Sequence, residues 1–113
     1  MKENHNIRVL HMITGEYVVC DVTQIREDTN FLGYRLLYPI KISLADEDEN
    51  GNYTVNYRRW NPFTPYEDHR ISPSSVISAM VPEKSVLVNY VQKLKEGGAD
   101  LSFLPDGGTE ILE

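Results

Sequence analysis

Gly15 divides an apolar stretch near the N-terminus, and that division constrains the fold more than any other feature of the chain. Before it, Ile7, Val9, Leu10, Met12 and Ile13 read as one strand. After it, Tyr17, Val18, Val19, Cys20 and Val22 read as a second, β-branched and aromatic strand. Thr14-Gly15-Glu16 forms the turn, where glycine supplies the backbone freedom. Strands joined this tightly run antiparallel. A lone hairpin is marginal in water, so the remaining chain must add strands or cover to this one.

The 113 residues allow one domain with one substantial core. Residues 1–81 are predicted to form five strands, residues 82–96 a helix and residues 97–113 an acidic tail. The first strand covers about 7–13 and the second about 16–25. A long third strand runs from about 31 to 44, with bends at Gly33 and Pro39. Pro39 lacks an N–H, so it belongs at an edge or a bulge. Asn50-Gly51 is a strong hairpin-turn signal. A fourth strand follows at 53–60, then a loop at 61–70 marked by Pro62 and Pro65, then a short fifth strand at 75–81. Pro82 and Glu83 suit a first helical turn. Val86, Leu87, Tyr90, Val91 and Leu94 form one apolar stripe at helical spacing, and Gly97-Gly98 stops it. The tail alone reads as disordered. If ordered, its Leu101, Phe103, Leu104, Ile111 and Leu112 must dock on the sheet or on a neighbouring subunit.

Charge and motif content exclude several functions. The net charge of −6 argues against a protein that coats nucleic acid nonspecifically, and no DNA partner is expected. Much of that charge lies in Asp46-Glu47-Asp48-Glu49 and in the tail, which leaves room for a local pocket that takes a few nucleotides. No apolar run reaches membrane-spanning length, and MKENHNIRV has no apolar leader core, so a cytoplasmic protein is expected. The single cysteine, Cys20, excludes an intrachain disulfide and suits a reducing compartment. Its apolar strand makes it a core residue rather than a nucleophile.

Asp46-x-Asp48-x-Asn50-Gly51 opens like a calcium-binding loop, but Tyr57 stands where that loop needs a bidentate glutamate. A hairpin turn explains the same residues. His5, His11 and His69 lie at no metal-ligand spacing. His11 reads as a packed or edge side chain and His69 as a solvated one. No phosphate loop, nucleophile elbow or acid–base pair can be argued, so no enzyme, metal or cofactor is expected. Arg58-Arg59-Trp60 could form a basic aromatic patch, but neighbouring strand residues face opposite sides. An interface or core tryptophan beside an arginine fits better.

Five short-looped strands with a bent third strand suggest a small, strongly curved antiparallel sheet or barrel. Gly15-x-x-Val18-x-Cys20-x-Val22-x-x-Ile25, with Asn30 five residues later, resembles the first Sm motif. Ile71-x-x-x-x-Val76, followed by Ala79 and Met80, resembles the second. The chain looks like the divergent Sm-like proteins of tailed phages of marine cyanobacteria. It departs from the family at Cys20, usually Gly, and at Arg26, usually Asp. Ile71-Ser72-Pro73 replaces the usual apolar-Arg-Gly. The N-terminal helix usual in the family has no room in residues 1–6, and the C-terminal helix is the candidate for its place.

This resemblance implies a mainly β fold: a strongly bent five-stranded Sm-like barrel with one C-terminal helix. It implies a closed ring of roughly five to seven copies, in which the fourth strand of one copy pairs with the fifth of the next. Tyr53, Tyr57, Trp60, Val76, Ile77 and Met80 are the expected interface. It also implies short single-stranded RNA as ligand, held by Asn30, Arg70 and Ser72. If phage-encoded, such a protein works in the host cytoplasm. The alternatives are a protein-binding or structural ring without RNA, and a monomeric OB-like barrel.

Overall fold

The computed structural model describes residues 5–45 and 47–112. Six strands form one antiparallel sheet: β1 (Ile7–Met12), β2 (Tyr17–Glu27), β3 (Asn30–Leu44), β4 (Val55–Arg59), β5 (Asp68–Ile71) and β6 (Val76–Met80). Two helices follow, α1 (Lys84–Glu96) and α2 (Thr109–Leu112). The strand order is β4-β3-β2-β1-β6, and β5 shares the outer edge of β3 with β4. The fold is therefore a mainly β sheet with a C-terminal helix. Among the described residues β4 and β6 do not pair, so the sheet is open where the sequence predicted a barrel.

The expected hairpin is present, with Ile7 opposite Asp21 and His11 opposite Tyr17. His11 stacks flat on Tyr17 at 4.6 Å, so it is the packed histidine the sequence suggested. One strand was missed. The last three residues of the predicted 61–70 loop, with Ile71, are β5, which pairs with Tyr34–Leu37. Asp68 and Arg70 are exposed, and four residues are too few to show an apolar alternation. Only pairing with β3 makes this segment a strand. The tetrad from Asp48 to Gly51 is a turn, with the Asp48 carboxylate accepting hydrogen bonds from the Asn50 and Asn52 N–H groups. Asp46 lies outside the described residues.

A bulge in β3 divides the apolar residues between two cores. Val19 pairs with Ile40 but Asp21 pairs with Leu37, so Cys20 faces both Tyr38 and Pro39. Tyr38 has φ 52°. The extra residue reverses the alternation. Leu36 consequently faces the concave side, with Leu10, Met12, Val18 and Cys20. Ile40 and Ile42 face the opposite side, with Ile7, Val9 and Val19. Trp60 and Ile71 from one end of the sheet and Val76 from the other all reach the concave cluster, so the sheet is strongly curled.

Helix α1 covers the other face with Leu87, Tyr90, Val91 and Leu94. It begins at Lys84, just after Pro82 and Glu83, and ends where Gly98 takes φ 75°. The tail is not disordered. A kinked turn at Pro105–Gly108, with Asp106, Gly107 and Gly108 at positive φ, leads into α2, and Leu104 and Ile111 are buried in the core with α1. The ring of Phe103 lies 5.6 Å from that of Tyr38. The tail therefore docks on its own chain. Glu113 lies outside the described residues. Among the described residues, no helix is long and apolar enough to cross a membrane.

Cys20 is fully buried, and desolvation pushes its thiol well above the usual range. The thiolate is the reactive form. Native protein at pH 8 should therefore resist iodoacetamide for hours, and the same protein in denaturant should be labelled within minutes. Comparable labelling in both states, read by mass spectrometry, would contradict this burial.

Candidate nucleic-acid interface

Asn30 opens β3 directly after the tight turn at Asp28-Thr29, where it pairs with Glu27. The turn is short because Asp28 takes φ 54°, a conformation aspartate tolerates better than most residues. Asn30 is exposed. Next to it, Arg26 and Phe31 are cross-strand partners. The Arg26 guanidinium sits 5.4 Å from the Phe31 ring centre, and the Phe31 ring meets Tyr34 edge-on at 5.0 Å. Gln24 accepts a hydrogen bond from Arg26 Nε at 2.8 Å. This end of the hairpin therefore presents a guanidinium and an aromatic ring together on one face, with the exposed Asn30 amide at the next position, directed to the other face.

Phe31 and Arg26 were not among the sequence candidates. Their signal is a cross-strand one, an arginine and an aromatic placed symmetrically about a two-residue turn. It is legible only once the register is known. Arg26, which departs from the Sm pattern, supplies the cation here.

The other two candidates lie apart from Asn30. Arg70 is opposite Arg35, five residues along β3, or about 16 Å at strand spacing. The Arg35 guanidinium donates to both carboxylate oxygens of Asp68, the shortest contact being 2.7 Å. That bond, with the nearby charges of Arg35 and Arg70, holds the Asp68 carboxyl below the usual carboxylate range. Ser72 lies against Gly33, about 10 Å from Asn30 along the strand. Its hydroxyl is shared with Ser74 at 3.1 Å and Ser75 at 3.0 Å, which orders the 3-10 turn at Pro73–Ser75. Asn30 and Ser72 thus occupy the same end of the sheet, whereas Arg70 does not converge with Asn30.

The expected interface residues divide in two. Ile77 and Met80 are exposed on β6 (62% and 40%), and Tyr53 is exposed before β4 (55%). Val76 packs against the concave core, and so does Trp60, whose Nε1 reaches Glu16 at 3.4 Å. Tyr57 lies beneath the Lys93 ammonium, 5.3 Å from its ring centre. His69 is half-buried edge-on against Trp60 rather than solvated, as the sequence had suggested. Among the described residues no group of three or more His, Cys, Asp or Glu could hold a metal ion.

No protein-family model matches the chain, and no curated protein matches it.

Proposed function

We propose that this chain is a subunit of an Sm-like ring that binds short single-stranded RNA. The observation that carries the reading is the sheet order, which puts β4 and β6 at opposite ends with an edge each left unpaired among the described residues. Open strand edges are templates for pairing with another chain, and a closed ring removes them. β6 adds exposed Ile77 and Met80 to its open edge. The RNA ligand is supported by the hairpin end. Phe31 offers an aromatic ring and Arg26 a cation on one face, and Asn30 an amide at the hairpin rim that can read a base edge. Arg70 is left out of this set, and Ser72 borders it.

Two readouts test the proposal. Light scattering at micromolar concentration should give several times the 13.0 kDa chain mass. Fluorescence anisotropy at low salt should show binding of oligo-U or oligo-A, weakened roughly fivefold or more by Phe31→Ala, because base–aromatic stacking is worth about 1–3 kcal/mol. A monomeric mass sinks the ring, and failure of both oligonucleotides sinks the RNA assignment.

A protein-binding ring is the second reading, and one loop favours it. Phe63 and Tyr66 are 95% and 73% exposed between β4 and β5. Pro62 and Pro65 stiffen the loop, and local side-chain bonds from Asn61 and Thr64 brace the Phe63 and Tyr66 amides. Rigid exposed aromatics are the usual anchors of protein interfaces.

A further inference from the structure

Helix α1 and strand β4 do not close on each other along their whole length. Between them runs a groove made of two cavities, of about 270 and about 520 Å³, that share Tyr57 and Lys93. Tyr53, Val55 and Tyr57 alternate along one wall. Asn89 and Lys93, one helical turn apart, form the other. Arg58 borders the end near the helix C-terminus.

The wall tyrosines are held in place. The Tyr53 hydroxyl donates to Glu47 at 3.2 Å, and Tyr57 and Asn89 line the same cavity. Lys93 sits over the Tyr57 ring where the two cavities meet, and among the described residues no carboxylate forms an ion pair with it. Arg59 differs, being paired with Glu67 at 2.7 Å. The groove therefore carries an open aromatic ring at Tyr53, one amide with donor and acceptor capacity, and an ammonium in no ion pair, with the Glu67 carboxylate, held by Arg59, lining the far cavity. Each group answers one part of a nucleotide: ring faces stack a base, the amide meets its edge, and the cation takes a phosphate.

We propose that the β4–α1 groove is a site for a nucleoside monophosphate, with the base against Tyr53, its edge at Asn89 and the phosphate on Lys93 above Tyr57. This site stands apart from the Asn30–Phe31 hairpin end and requires neither the ring nor RNA binding there. The choice of a nucleotide over a simple anion rests on the walls. An anion site would need only Lys93 and Arg58.

The test is titration of the full chain with uridine and adenosine 5′-monophosphates, followed by amide chemical shifts. Uridine and inorganic phosphate serve as the half-ligands. Saturable shifts are expected around Tyr53, Tyr57, Asn89 and Lys93, with each half-ligand binding at least roughly tenfold more weakly. Lys93→Glu, an exposed position whose change should leave the circular dichroism spectrum intact, should weaken binding roughly tenfold or more. Phe31→Ala should leave the mononucleotide unaffected, which separates this site from the hairpin end. The proposal is overturned by no saturable binding, by inorganic phosphate binding as well as the nucleotides, or by a folded Lys93→Glu variant that binds normally.

Discussion

Tyr90→Ala should lower the unfolding free energy by about 4 kcal/mol, the range seen when a large buried aromatic is truncated. Tyr90 has 0% exposure, and it joins the helix to the bulge. Its hydroxyl donates to the Tyr38 carbonyl at 2.8 Å, with a longer approach to the Leu37 carbonyl at 3.4 Å. Desolvation pushes the phenol far above its usual pKa, so it remains a donor at any ordinary pH. Two losses follow from truncation: a cavity between Val9, Val19 and Val91, and a bulge carbonyl without its donor. Tyr90→Phe separates them. It keeps the ring and removes only the hydrogen bond, for about 1–2 kcal/mol. Chemical denaturation measures both variants. Equal losses would mean that the hydroxyl, not the packing, dominates. No loss from either would mean that α1 does not cover this face.

Gly33→Ala is expected to cost about 2–4 kcal/mol, a large effect for one methyl group. Gly33 has φ 153°, and a Cβ built there would overlap the Ile71 carbonyl oxygen. That oxygen belongs to the backbone of β5, so it cannot swing aside as a side chain would. The carbonyl must move, and β5 is only four residues long. The strand should detach before the rest of the sheet, with faster amide exchange at Asp68–Ile71 than at β1. Gly15→Ala is the control. Gly15 also has positive φ (93°), but nothing lies within 4 Å of its added Cβ. Its cost should be only about 1–2 kcal/mol. Equal destabilisation by the two substitutions would show that backbone conformation, not the approach of β5, makes Gly33 necessary.

These effects bear on function as well as stability. Gly33 sets Ser72 against β3, and β5 carries Arg70. Tyr90 holds α1 on the sheet, and α1 carries Asn89 and Lys93 along the groove. Binding at the groove should therefore be lost early in Tyr90→Ala, whereas the hairpin end at Asn30 is built by β2 and β3 alone.

Local sequence was a good guide where the signal was local. The β1–β2 hairpin follows from an apolar run broken at Gly15. The stripe from Val86 to Leu94 repeats with the helical period, and the face it defines is the one buried. The turn before β4 follows from Asn50-Gly51. Pro39 marked a bulge because it has no N–H to donate, and it sits in one. Asn30 was singled out by motif, but its aromatic neighbour Phe31 was not. The pairing that brings Phe31 and Arg26 together is a register, and register is set by long-range packing.

By itself, then, the sequence determined that this chain makes antiparallel strands closed by turns and one amphipathic helix, because periodicity and turn chemistry are properties of neighbouring residues. Three features were decided only by the tertiary structure. Tyr38 switches β3 from one core to the other, a short segment with a single apolar residue becomes β5 because β3 offers it an edge, and an acidic tail orders because Leu104 and Ile111 find room beneath α1. Each depends on a surface assembled from distant parts of the chain, and no window of sequence contains that surface. The same holds for the groove, where Tyr53 and Lys93 stand forty residues apart until the helix is laid beside the strand.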